Sequence, residues 1–228
     1  MPTFNDEEQG YTPKNVLIVP GRGMLIQARK ETFRYPNDNA VYKYTSGRVD
    51  TRDSFSFEYG KFEAEMILPD GAGAWPAFWF LSANQAHTNK LHPTDKDWGQ
   101  ERFYLHDGEV DGVETSGKQP TLIEATLHTF DQSTEGHITV PDATKNPHVY
   151  GVEFAPDELR WTVDGTPYFS RRKPANATPD NWPFMNGNRW YPIFNLAMGG
   201  TMGGEITSQG PWTLAVSRAT FYDYTGPR

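Results

Sequence analysis

The sequence predicts an all-β sandwich, and three observations carry that expectation. Short runs of β-branched and aromatic residues recur along the 228 residues, separated by clusters of Gly, Pro, Asn and Asp. No stretch shows the apolar period of an amphipathic helix three turns long. Asp164-Gly165 stands between two of the runs as a two-residue hairpin turn. Many short strands joined by turns at this spacing favour two curved antiparallel sheets packed face to face.

Taken in order, the strand signals fall at residues 16–19, 24–28, 55–65, 121–130, 148–154 and 159–163, with a last strand over 214–222. Residues 57–67 alternate large apolar and polar positions imperfectly, as a half-buried strand does. Two stretches are irregular, from Ala83 to about Phe103 and from Lys173 to Arg189. A loop as long as the first, inside a compact domain, points to function or mobility. No charge block, repeat or low-complexity linker divides the chain, so residues 1–228 are expected to form one domain.

Composition removes several function classes. With no cysteine there is no disulfide, thiolate metal site or cysteine nucleophile. A net charge of −8, spread along the chain, disfavours nucleic acid, anionic membranes and polyanionic substrates. No apolar run approaches the roughly 20 residues needed to span a bilayer. The first residues, Met1-Pro-Thr-Phe-Asn-Asp-Glu-Glu, carry neither the basic start nor the apolar stretch of a signal peptide. Seven Trp, 11 Tyr and 14 Phe leave two readings open, a ring-rich core or a cleft whose flat ring faces stack on sugars.

The chemistry shows in Gly108-Glu-Val-Asp-Gly-Val-Glu-Thr115. Residues two apart on a strand share a face, so Glu109 and Asp111 point the same way. The next acid arrives one place late, at Glu114. One extra residue would swing it back beside the others, and Gly112 lies where such a β-bulge needs permissive dihedrals. A solvated acidic strand or a hard-cation site would also place acids here. The sharper reading is a retaining glycosidase, which needs a carboxylate nucleophile and a protonated carboxyl roughly 5–5.5 Å apart. Asp111 between the two would help to separate their proton affinities.

Around this motif the chain resembles glycoside hydrolase family 16, in the branch with the bulged Glu-x-Asp-x-x-Glu signature. The resemblance runs from about Asn5 to Tyr222. It is carried by Asn5-Asp-Glu-Glu-Gln-Gly-Tyr-Thr12, Gly23-Met-Leu-Ile-Gln-Ala-Arg29, Ser46-Gly-Arg-Val-Asp-Thr51 and Tyr59-Gly-Lys-Phe-Glu-Ala-Glu65. Beyond these come Trp75-Pro-Ala-Phe-Trp-Phe-Leu81, Leu127-His128, Tyr150 to Trp161, Val163-Asp-Gly165 and Asn195-Leu-Ala-Met-Gly-Gly200. It implies a β-jelly-roll with an open cleft, in which Glu109 is the nucleophile, Asp111 the assisting carboxylate and Glu114 the acid/base. It places Trp75, Arg48 and Asn5 at sugar-contacting positions and His128 in the cleft near the acid/base. For Trp79 the resemblance leaves both core and substrate contact open. Asn195 either orients active-site groups or bonds only the backbone.

Three departures accompany the likeness. The family's opening strand, some thirty residues upstream of this start, is missing. The Trp and Pro that often precede the nucleophile are replaced by Phe103-Tyr-Leu-His-Asp-Gly108, leaving Trp98 in the long loop as the nearest ring for a sugar platform. Ser217 stands where many relatives have an Asp that helps to bind structural calcium, so no metal or other cofactor is expected. The resemblance thus implies a monomeric, secreted, retaining endo-glycosidase acting on a neutral polysaccharide, a β-1,3-glucan or mixed β-1,3/1,4-glucan. Agarose or another galactan is the alternative substrate, and a non-catalytic carbohydrate-binding module the alternative class.

Overall fold

The computed structural model describes residues 5–34, 40–83, 107–185 and 187–227. Their strands, in chain order, are β1 (Gln9–Tyr11), β2 (Val16–Val19), β3 (Gly23–Arg34), β4 (Val41–Ser46), β5 (Arg48–Asp50), β6 (Gly60–Ile67), β7 (Ala74–Ser82) and β8 (Glu109–Glu114). There follow β9 (Leu122–His128), β10 (Ser133–Thr139), β11 (His148–Phe154), β12 (Glu158–Val163), β13 (Thr166–Arg172), β14 (Trp190–Met198) and β15 (Trp212–Asp223). Helical structure among them is limited to a 3₁₀ turn at Pro13–Asn15 and a single turn at Gly200–Gly203. None is long and apolar enough to cross a membrane.

The strands form two sheets, as expected. One runs β1-β4-β3-β15-β6-β11-β12-β13 with β2 on β3, and the other runs β10-β9-β8-β7-β14-β5. Pairing is antiparallel with one exception, because β1 lies parallel to β4. The cause is the path of the N-terminal segment. It first bonds the end of β14, through Glu8 N–H to the Met198 carbonyl at 2.8 Å, and then crosses to the edge of the larger sheet. The run over 55–65 is also divided between the sheets. Phe57 bridges Trp190, whereas β6 begins only at Gly60, whose positive φ of 148° turns the chain. At Asp164-Gly165 both residues have positive φ, 50° and 76°, the geometry of a type I′ hairpin between β12 and β13.

Phenylalanines fill the space between the sheets. Phe57, Phe62, Phe78, Phe80 and Phe154 are buried, with Phe57–Phe154 and Phe80–Phe154 centroids 5.0 and 5.1 Å apart, edge to face. Each such ring stabilises the fold by roughly 1.5–3 kcal/mol through burial. The alternation that sends Phe78, Phe80, Val110, Ile123, Ala125 and Leu127 inward leaves Trp79, Glu109, Asp111, Glu124, Thr126 and His128 on the opposite, open face of the six-stranded sheet.

The expected bulge is present in β8. On β7, Phe78 pairs with Val113 and the next residue, Trp79, with Asp111, so Gly112 is the extra residue. On β9, Asp111 pairs with Thr126 and Glu114 with Glu124, three steps against two. Trp161, fully buried in the other sheet, donates its indole N–H to the Asp111 carbonyl at 2.8 Å, anchoring the strand where its register shifts. Gly112 serves the bulge through space and not through permissive dihedrals, since it is absent from the chain's positive-φ glycines. A Cβ there would stand 3.0 Å from Val152 Cγ2 and 3.1 Å from both the Phe78 ring and the Phe78 carbonyl oxygen.

Gly112→Ala is therefore expected to force the two sheets apart locally and to destabilise the fold by about 1–3 kcal/mol. Thermal and urea unfolding check this. An unchanged midpoint would show that the bulge does not depend on that close approach.

Candidate active site

Glu109, Asp111 and Glu114 share the open face of β8. Asp111 is buried at 3% exposure, whereas the two glutamates keep part of their surface open. Burial is the first cause that raises the proton affinity of all three. Mutual repulsion adds to it, through Asp111 on both glutamates. Glu114 is pushed up to about 8. Three such groups cannot all ionise together, and they hold protons as a set.

Their surroundings differ in a way that separates roles. His128 favours the charged form of both glutamates, and Arg48 favours that of Glu109 alone. At Glu114, Glu124 works in the opposite sense and strengthens the hold on the proton. His128 Nε2 stands 3.1 Å from Asp111 Oδ2, and its Nδ1 lies 2.6 Å from Ser133 Oγ. His128 is the cross-strand partner of Glu109, so it sits beside the first two acids and not chiefly beside Glu114. The contact to Asp111 is an ion-pair distance off the line of a hydrogen bond. Asp111 Oδ2 is thus a buried oxygen without a hydrogen-bond partner among the described residues. A neutral, protonated carboxyl relieves such a position, in keeping with the upward shift of Asp111.

Trp75 is only 8% exposed, and its indole N–H donates to Glu114 Oε1 at 2.8 Å. The structure thus sets it against the acid, with little ring face left for a sugar. Trp79 belongs to the open face and not to the main core. It packs with Leu81, Tyr191 and Ile193, and its N–H donates to Asn195 Oδ1 at 2.7 Å. Asn195 in turn donates to Tyr11 Oη at 3.2 Å, so it orients side chains and not the backbone. Arg48 lies opposite Asn195 on β5, with its guanidinium 4.8 Å from the Trp79 ring centroid. Asn5 enters through its backbone, accepting the Thr201 N–H at 3.0 Å. Trp98 and the irregular stretch over 84–103 lie outside the described residues.

Several residues near the site escaped the sequence reading. Tyr11 donates to Glu7 Oε2 at 3.2 Å, which links the N-terminal segment to Asn195. The signal was the alternation Glu7, Gln9, Tyr11. Glu124 shares the face of Thr126 and His128, and Glu124, Glu135 and His137 approach within 4.8 Å of one another. Ser217 is the extra residue of a bulge in β15, and its hydroxyl donates to Glu65 Oε1 at 2.6 Å. It supplies no carboxylate, so this position does not fit the calcium ligand of the resemblance.

Comparison with known proteins agrees with this geometry. The model for Glycosyl hydrolases family 16 matches residues 9–191. The chain is 32% identical over 213 residues to a β-glucanase of Rhodothermus marinus, covering 88% of this chain and 68% of that protein. It is 30% identical over 235 residues to glucan endo-1,3-β-glucosidase A1 of Niallia circulans, covering 96% of this chain but only 32% of that longer protein. The endo-β-1,3-glucanase structure from Pyrococcus furiosus superposes with a TM-score of 0.80 at 33% identity, covering 97% of this chain and 82% of the other. The chain belongs to glycosyl hydrolases family 16 and falls within its laminarinase branch.

The Trp75 contact has a signed consequence. The indole N–H favours ionised Glu114, so Trp75→Phe, which keeps a ring and loses the donor, should raise the proton affinity of Glu114 further. The basic limb of the kcat/KM–pH profile then moves to higher pH. A weakened KM with an unmoved limb would instead make Trp75 a sugar platform.

Proposed function

We propose that residues 1–228 form one catalytic domain, a retaining endo-β-glucanase that cleaves internal β-1,3 linkages of a laminarin-type or mixed β-1,3/1,4-glucan. The bulged strand β8 carries this reading, because it sets Glu109, Asp111 and Glu114 on one open face. The names of the relatives support the substrate class. The net charge of −8 weighs against sulfated galactans, since polyanions would be repelled. A polymer this large does not cross a membrane, which favours action outside the cell. One chain supplies all three carboxylates, which suits a monomer.

The environments suggest the roles. Glu109, favoured in its charged form by His128 and Arg48, attacks the anomeric carbon. The glycosidic bond breaks, and its oxygen leaves with the proton of Glu114. The sugar is then esterified to Glu109. Glu114, now a carboxylate steadied by the Trp75 N–H, removes a proton from water. The water oxygen attacks the anomeric carbon and frees Glu109, giving net retention after two inversions. Asp111, sharing protons with its neighbours, lowers the cost of alternating charge on the two glutamates.

Glu109→Gln and Glu114→Gln should each lower turnover on laminarin by on the order of 10²-fold or more, with the fold intact. Reducing-sugar release from laminarin, lichenan, agarose and carrageenan measures this and ranks the substrates. Azide added to Glu114→Ala should restore cleavage and give the β-glycosyl azide, since the anion attacks the ester on Glu109. Rescue of Glu109→Ala with an α-azide would mean that the roles are exchanged. Binding without any cleavage by the native chain would make it a carbohydrate-binding module.

A further inference from the structure

The bulge that returns Glu114 to the open face also fixes what it meets there. With a regular strand, Asp111 opposite Thr126 would place residue 113 opposite Glu124. With the bulge, Glu114 itself is the partner of Glu124. Directly opposed residues on one face have Cβ atoms about 4.5–5.5 Å apart, and like charges so placed destabilise a sheet. On the far side of β9, Glu124 is paired with His137 of β10, whose Nε2 lies 3.6 Å from Glu124 Oε1. Acid, carboxylate and imidazole thus form one row across three strands.

We propose that Glu124 is a positioning residue of the reaction, whose negative charge, set directly across from Glu114, keeps the proton on that carboxyl until the leaving sugar takes it. The inference rests on Glu114 being the acid. The neighbours of Glu114 act in both senses. Asp111 on the same strand and Glu124 from β9 both strengthen the hold of Glu114 on its proton, and burial does so most. His128 from β9 and the neutral Trp75 N–H from β7 oppose them. Glu124 itself faces Glu114 and Asp111 on β8, and Glu135 and His137 on β10. Glu124 is partly exposed, its side chain 29% accessible, so its field is moderated by solvent but not abolished.

The test is the pH profile of kcat/KM on laminarin for the native chain, Glu124→Gln and Glu124→Asp, with melting curves for each. Glu124→Gln should move the basic limb down by about half a pH unit. Glu124→Asp keeps the charge and should leave the limb in place. Should Glu124→Gln not melt cooperatively, Glu124→Ala is the second neutral variant and must move the limb in the same direction. A folded neutral variant with an unmoved limb, or an equal shift in Glu124→Asp, overturns the proposal. Glu114→Gln run alongside keeps the levels apart, because retained turnover there would remove the acid assignment itself.

Discussion

At Gly112 two successive residues of β8 turn to the same side of their sheet, and the arrangement of the site follows from that step. Val113 stays in the core, and Glu114 is carried to the face that already holds Glu109 and Asp111. The step is secured from below by the Trp161 indole on the Asp111 carbonyl, and it fits because no side chain occupies the space between Phe78 and Val152. A packed core of interlocking rings makes this a discrete arrangement, since it cannot yield by small amounts. The placement of the three acids is thus held by the inter-sheet core.

Concentrating three carboxylates on one strand is costly, and their surroundings distribute that cost unequally. Burial raises all three. His128 acts on both glutamates, Arg48 on Glu109, and an indole donor and a further carboxylate on Glu114, while the inner oxygen of Asp111 is left without a hydrogen bond among the described residues. A site that needs one base and one acid at the same pH gains them from such asymmetry. The second group on the open face, linking Arg48, Trp79, Asn195, Tyr11 and Glu7, ties the N-terminal segment to the floor of the site.

Much of this was legible in the sequence where local pattern decides. The late acid at 114 required a bulge, and Asp164-Gly165 required a hairpin. What pattern alone left hidden depends on partners distant in the chain. The Trp75 indole reaches Glu114 across 39 positions, and Trp79 and Asn195 meet across 116. Gly112 read as a residue needing unusual dihedrals, whereas its role is to admit Phe78 and Val152. The parallel pairing of β1 was illegible for the same reason, because it follows from a contact between Glu8 and Met198. Glu124 attracted no notice as one acid in an ordinary strand, and only the shifted register places it opposite the acid.

The central claim is that the bulge sets Glu109 and Glu114 on one open face, so that the reaction passes through an ester on Glu109. Following the anomeric proton by NMR during the first minutes of glucan hydrolysis tests it most directly. The β anomer should appear first and convert to α only by later mutarotation. Initial appearance of the α anomer would mean that water attacks directly, and it would contradict the bulge geometry and the covalent intermediate together.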